Sequence, residues 1–274
     1  LETKHKDDII SILLPTRGRT DALKTSLDSL FDLADDVGKL ELLLGMDDDD
    51  AASSQWVQEN LLPDLDARGI DYTLLHFEPL GYARLNVYVN ALARHSSGDW
   101  FFFWNDDAVM LTPGWDTRVR EKTSEFSCIR IPTHNCHPYA IFPIIPRAWL
   151  DICGYLSDHQ LNDAWISQIS YILDIMVNVD IDVRHDRFDL TGANQDDTYQ
   201  RRVMFEFDPN DPRDFNYPSR RQQRMQDAVK ISNFLTAQGR DMTWFGRVLK
   251  GQQDPWAKMT GPEYDPNKQI KQWK

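Results

Sequence analysis

The chain is poor in cysteine, holds no long apolar run and carries fewer cations than anions; each shortage removes a class of protein. Its three cysteines, Cys128, Cys136 and Cys153, are too few and too odd in number for a disulfide framework, and none forms the CxxC pair of a zinc site. They fit a reduced compartment, so a cytoplasmic location is expected. The longest uniformly apolar stretches, such as residues 100–104, are far too short to cross a bilayer. Residues 1–8 are charged and do not resemble a signal peptide. Lys and Arg total 30 against 43 Asp and Glu, a net charge of −13. Such a surface repels nucleic-acid phosphates and anionic lipid, so neither a nucleic-acid partner nor a membrane span is expected. An anionic ligand is tolerated only where local cations or a metal reverse the field. There are no internal repeats.

What is present is an ordinary globular composition, 41% hydrophobic and 27% charged over 274 residues. That length suits one large α/β domain with a sizeable core. Residues 9–14 read as a buried strand ending at Pro15, and Thr20 as the cap of a helix with Leu23, Leu27, Leu30, Phe31 and Ala34 on one face. Residues 40–46 and 72–77 read as further strands, 81–95 as a helix, and 100–104 as a strand after Gly98. This alternation predicts a mostly parallel central sheet flanked by helices on both faces. Further on, the periodicity predicts short strands or turns over 126–132 and 139–145, a helix over 162–176 and a half-exposed strand over 177–183. It then predicts a loop over 208–219, an amphipathic helix over 220–238 with Met225, Ala228, Ile231 and Leu235 inward, and a polar tail from Gly251.

Ligands of an open parallel sheet gather at the carboxyl ends of its strands. The segments at those ends are Pro15-Thr16-Arg17-Gly18-Arg19, Asp47 to Asp50, Gly81-Tyr82-Ala83-Arg84 with Asn86, and Asn105-Asp106-Asp107. Arginines and acids on one edge suit a nucleoside diphosphate held with a divalent cation, since guanidinium meets phosphate as a fork and carboxylates hold the bridging metal. Adjacent acids straight after Trp100-Phe101-Phe102-Phe103-Trp104 are costly unless something offsets their charge. Taken alone, Asn-Asp-Asp reads as a turn; its place after a central strand favours a ligand site. Asp49 and Asp50 read as solvated or capping acids before a helix at Ala51.

In the order and spacing of these motifs, over about the first 190 residues, the chain resembles glycosyltransferase family 2, nucleotide-sugar enzymes of the GT-A fold. The resembling segments are Leu14-Pro15-Thr16-Arg17-Gly18-Arg19, the acidic end of the second strand, Ala83-Arg84-Leu85-Asn86, Gly98-Asp99-Trp100 leading to Asn105-Asp106-Asp107, and Pro113-Gly114-Trp115. The resemblance implies a GT-A catalytic domain over 1–205, with a nucleotide-binding half to about residue 100 and a metal and acceptor half over 101–205. Residues 206–274 then form a loop, helix and polar tail packed on the same domain. It implies that Pro15, Thr16 and Arg17 line the nucleotide pocket with Arg19 near it, that Asp47 or Asp48 reads the base, and that Arg84 meets base or diphosphate. Asp107 falls where the last acid of the family's Asp-x-Asp motif binds Mn²⁺ or Mg²⁺. Asn105 replaces the first acid, which lowers the charge at the metal, and Asp106 compensates.

For the acceptor, the resemblance points to an acid at a helix start as catalytic base, which falls on Asp163, with Asp158 in reserve; a retaining enzyme would need no such base. His185 is the expected second metal ligand, residues 186–202 with Gly192 a candidate lid, and His134, Asn135 and His137 weak acceptor candidates. The implied reaction moves one sugar from a nucleoside-diphosphate sugar, on family frequency a UDP-sugar, to a hydroxyl of an unidentified glycan, lipid or protein. Two other readings stay open: a catalytically degenerate sugar-binding protein, kept by Asn105, and a sugar nucleotidyltransferase, disfavoured because Thr16-Arg17 lacks the Gly-rich loop of that class.

Overall fold

The computed structural model describes residues 6–132, 137–186, 192 and 211–258. Strand β1 (Lys6–Thr16) leads into helix α1 (Thr20–Asp32) and strand β2 (Leu40–Asp47). Helix α2 (Ala51–Trp56), a π-helical turn and helix α3 (Leu62–Arg68) then return the chain to β3 (Asp71–Phe77). Helix α4 (Leu85–His95) and β4 (Gly98–Phe103) complete the alternation. After these come β5 (Ala108–Met110), α5 (Trp115–Arg120), β6 (Cys128–Arg130), β7 (Ile144–Pro146), α6 (Arg147–Cys153), α7 (Asn162–Leu173), β8 (Met176–Asn178) and β9 (Val183–His185). Helices α8 (Pro218–Ala237) and α9 (Thr243–Leu249) pack on α6 and α7.

The main sheet has the order β3-β2-β1-β4-β7-β6-β8. Its first four strands are parallel; β7 runs against both β4 and β6, and β8 is parallel to β6. A small antiparallel pair, β5 with β9, stands beside it. Strand side chains alternate between faces. Ile10, Ile12, Leu14, Leu42, Leu44 and Phe102 meet α1, α3 and α5 on one side, whereas Leu13, Leu43, Phe101 and Phe103 meet α4, α6, α7 and α8 on the other. Covering both faces is why these strands read as unbroken apolar runs. Among the described residues no helix is long and apolar enough to cross a membrane.

Several boundaries differ from the sequence expectation, each for a local reason. Thr20 begins α1 instead of capping it; Arg19 stands at the cap position without a side-chain cap bond. The helix expected over 81–95 breaks into a turn at Tyr82–Arg84 and then α4, after Gly81 takes a φ of 70°. Helix α7 stops at Leu173 because Asp174 takes a left-handed φ of 56°. The single strand expected over 177–183 is two: the amide of Val179 donates to the Arg130 carbonyl at 3.0 Å, whereas that of Asp182 donates to Thr112 Oγ1 at 2.7 Å. The chain thus passes from β6 to β5, with Val179, Ile181 and Val183 buried along the way.

The amino end of the sheet is tied by one buried acid. Glu41 accepts hydrogen bonds from Ser11 Oγ (2.5 Å), Ser97 N and Oγ (2.6 Å each) and Gly98 N (3.0 Å), joining β1, β2 and β4. Gly98 must be glycine there, since a Cβ would lie 2.5 Å from Ser11 Oγ and 2.6 Å from the Ile9 carbonyl. Glu41→Gln turns one acceptor toward donors and is expected to cost about 1–3 kcal/mol of stability. Gly98→Ala is expected to cost a similar ~1–3 kcal/mol through overpacking. Urea unfolding at constant m-value measures both; wild-type midpoints in both variants would remove Glu41 as the tie.

Candidate functional site

At the opposite, carboxyl edge of the sheet the loops after β1, β2 and β4 enclose a cleft of about 270 Å³. At one end β1 delivers Arg17. Its Nη1 donates to Asp47 Oδ2 at 2.8 Å, and its guanidinium also grips both oxygens of Asp49. Asp47, the last residue of β2, is buried and accepts a short hydrogen bond from the Tyr88 hydroxyl on its other oxygen. Tyr88 in turn accepts from the Leu80 amide at 2.9 Å, and burial, then the bond to Asp47, raises its pKa to about 12. Asp50 caps α2 by accepting from Ser53 N (3.2 Å) and also accepts from Gly18 N (2.7 Å), so the first two loops hold each other. Asp49 is therefore an ion-pair partner, more than the solvated acid its sequence suggested.

In the middle stand Asn105, Asp106 and Asp107. The Trp104 indole donates to Ser26 Oγ at 2.8 Å and that hydroxyl donates to the Asn105 carbonyl at 3.0 Å, pinning this loop to α1. Asp106 accepts from Thr16 Oγ1 at 2.7 Å and from Arg19 Nη1 at 3.1 Å; the same nitrogen lies 3.3 Å from Asp107 Oδ2. Burial, and then the Asp107 charge, push Asp106 up to about 6 against the pull of Arg19 and Thr16. Pairing of β5 with β9 sets Ala108 opposite His185, which brings His185 Nε2 to 3.1 Å from Asp107 Oδ1. The Phe142 ring meets the imidazole edge-on at 5.1 Å between centroids.

The far end is built from Gln160, Leu161, Asn162 and Asp163 at the start of α7, facing Ile141 and Pro143. The Asn162 side chain is buried and, among the described residues, its Oδ1 has no hydrogen-bond partner. Such an atom is costly to bury unless a ligand donor reaches it. His159 holds this loop: Leu161 N donates to its Nδ1 at 3.1 Å, which leaves Nε2–H to donate to the Arg213 carbonyl at 3.0 Å.

Of the residues expected from sequence, Pro15, Thr16, Arg17, Arg19, Asp47, Asn105, Asp106, Asp107, Asp163 and His185 line this one cleft. Asp48, Arg84 and Asp158 do not. Asp48 is exposed, 4.0 Å from His76 Nδ1. Arg84 is exposed on the turn before α4. Asp158 forms an ion pair with Arg220 of α8. His134, Asn135 and most of the expected lid lie outside the described residues; His137 accepts from the Tyr139 amide at 3.1 Å. Sequence reading gave no role of their own to Tyr82, Tyr88, Gln160 and Asn162, all of which line the cleft. Tyr88 had a signal, since it shares the inward face of α4 with Leu85 and Leu92 while carrying a hydroxyl that burial obliges to find a partner.

The donor set meets the needs of a divalent cation in part. The 3.1 Å between Asp107 Oδ1 and His185 Nε2 suits neighbouring ligands about 2.1 Å from one ion. Among the described residues no group of three or more His, Cys, Asp or Glu forms a metal cage. The pair thus fits the kind of site in which phosphate oxygens and water complete the coordination.

No protein-family model and no curated protein matches the sequence. Solved structures do match in fold. TarS from S. aureus, in complex with UDP-GlcNAc, superposes with a TM-score of 0.57 at 12% identity, over 90% of this chain and 72% of that one. The mannosyltransferase PcManGT from Pyrobaculum calidifontis, in complex with GDP-Man and Mn²⁺, gives 0.54 at 11% identity, over 94% and 85%. The match spans 57% and 41% of two other TarS structures. The fold is GT-A, with a mostly parallel sheet flanked by helices.

His159 gives the site a pH signature. Burial holds its pKa below the usual 6.5, so the unfolded chain binds the proton more readily and stability from this group is lost as pH falls below 6.5. Asp106, raised in the fold, has the opposite sign as pH falls from about 6. Wild type minus His159→Gln isolates the first: urea midpoints from pH 8 to 5 are expected to fall more steeply in wild type. Parallel profiles would show that His159 is not held neutral.

Proposed function

We propose that the protein is a metal-dependent glycosyltransferase that takes a sugar from a nucleoside-diphosphate donor to an acceptor hydroxyl. One observation carries this reading. A single cleft at the carboxyl edge joins Arg17 and Asp47 at one end, Asp107 and His185 in the middle, and Asn162 and Asp163 at the other. Asp47 keeps lone pairs for a base N–H, and Arg17, already fixed, lines the nucleotide end with Pro15 and Thr16. Asp107 and His185 would hold Mn²⁺ or Mg²⁺, which when bound offsets charge developing on the leaving diphosphate. Asn162 Oδ1 accepts from an acceptor hydroxyl, and Asp163, in the first turn of α7, takes the proton of the attacking one. The complexes of TarS with UDP-GlcNAc and of PcManGT with GDP-Man and Mn²⁺ support a nucleotide-sugar donor, UDP-sugar being the first to test. Two buried, free thiols, Cys128 and Cys153, fit a reducing, cytoplasmic setting.

Calorimetry with UDP, GDP, CDP and dTDP, each with Mn²⁺ and with EDTA, tests the donor half. One diphosphate is expected to bind with metal, and Asp107→Ala to weaken it roughly 10–100-fold. A folded wild type that binds none of them would sink the reading. A second reading, a sugar-binding protein without turnover, is favoured by Asn105, an amide 3.4 Å from His185 Nε2 where the family's motif has an acid. Asp163→Asn separates the two: donor binding is expected to persist while transfer falls about 10²–10⁴-fold. Unchanged transfer points to a mechanism without a base, and no transfer by wild type from the donor it binds favours the second reading.

A further inference from the structure

Tyr88 and Asp47 together join the loops that follow three strands. Tyr88 stands on α4, buried and lining the cleft. Its ring packs edge-on against Phe77 at 4.8 Å between centroids. Phe77 is the register partner of Asp47 across β2 and β3, so this packing aims the phenol at the carboxylate beside it. The hydroxyl then has one arrangement open to it. The Leu80 amide, which can only donate, takes a lone pair of the phenol oxygen at 2.9 Å. The single phenol proton therefore goes to Asp47 Oδ1. Arg17 Nη1, from the loop after β1, holds the other oxygen, Oδ2, at 2.8 Å.

Each oxygen of Asp47 thus receives a hydrogen from the protein, and the carboxylate is held from both sides. Its remaining lone pairs can only accept. Asp47 lines the nucleotide end of the cleft. A base set against it gains a hydrogen bond there through a ring N–H, which uracil and thymine carry at N3 and guanine at N1. Cytosine N3 and adenine N1 bring a lone pair to the same place, and a buried acceptor left facing another acceptor is costly. We propose that Tyr88 is the positioning residue that locks Asp47 as a fixed acceptor, and that this lock restricts the donor to nucleotides whose base has a ring N–H. The inference rests on the nucleoside-diphosphate reading above and narrows it to one class of base. Without the phenol, Oδ1 is free to turn or to carry a proton, and an O–H there suits the cytosine lone pair.

The test is calorimetric binding of UDP, dTDP, GDP, CDP and ADP, each with Mn²⁺, to wild type, Tyr88→Phe and Asp47→Asn. Wild type is expected to bind a diphosphate with a ring N–H base roughly 100-fold or more tighter than CDP or ADP, since a site built around a hydrogen bond rejects the analogue that lacks it. Tyr88→Phe keeps the ring on Phe77 and is expected to narrow that ratio to about tenfold or less. Asp47→Asn, whose amide supplies a donor as well as an acceptor, is expected to narrow it likewise. A purely structural role for Tyr88 would weaken every diphosphate by the same factor, so an unchanged ratio in Tyr88→Phe overturns the proposal. Slowed hydrogen exchange at the Leu80 amide of ligand-free wild type is also expected, and an unprotected amide overturns the proposal without any variant. Wild type that binds diphosphates with no base preference, or prefers CDP or ADP, fails this inference alone. Wild type that binds no diphosphate fails the functional reading and this inference with it.

Discussion

Two acidic side chains in succession, just after a buried aromatic strand, are the constraint around which this edge of the molecule is built. Asp106 and Asp107 come just after Trp104 and Asn105, and both are buried. Leaving them without partners would cost several kcal/mol each. Thr16 and Arg19 from the end of β1 and His185 from β9 meet the acids, while Ser26 of α1 fixes their loop through Asn105 and Trp104. Strand β5 begins immediately after the acids, and the Asp186 amide donates to the Asp107 carbonyl at 2.7 Å, so the small second sheet fixes His185 against them. A cluster so made is held in place by partners whose own packing is settled elsewhere.

The other edge works by the same chemistry toward a different end. Glu41 is also a buried carboxylate, yet all four of its donors lie on β1 and at the start of β4, and none of the residues that donate to it lines the cleft. Its network closes within the protein, with serine hydroxyls and backbone amides satisfying both oxygens, which is the arrangement of a structural acid. At the cleft the arrangement is left open. Among the described residues, Asn162 Oδ1 lacks a protein partner. A closed network holds the strands at one end, and a buried acceptor is left open in the cleft at the other.

The parallel half of the fold was legible because both faces of its strands are covered. Residues 9–14, 40–46 and 72–77 carried unbroken apolar runs, and each strand was found within a few residues of its expected limits. The later strands were less so: β6 falls inside the expected 126–132 and β7 overlaps 139–145, but β6, β7, β8 and β9 each have three residues, too few to establish a period. What joins them is tertiary: Val179 to Arg130 and Asp182 to Thr112 are long-range bonds that no window of sequence contains. In the site the same division holds. Asp107 and Arg17 line the cleft after the strands where the sequence placed them. Arg84 and Asp158 were misplaced for the cleft because a turn at Gly81 and a partner on α8, Arg220, decide where their side chains go.

Asn105 can be understood from the charges beside it. An aspartate there would add a third acid beside Asp106 and Asp107, with His185 Nε2 3.4 Å from the side chain and Arg19 the nearest established cation. Nearby like charges oppose ionisation, and Asp106 is already raised to about 6. An amide at this position keeps hydrogen-bonding capacity toward a ribose hydroxyl and toward the imidazole while adding no charge. Against the Asp-x-Asp pattern the chain resembles, the acid absent at Asn105 has its counterpart one place along, at Asp106, where Thr16 and Arg19 hold it. The site keeps two acids, but carries both on the side of the loop that faces β1 and β9.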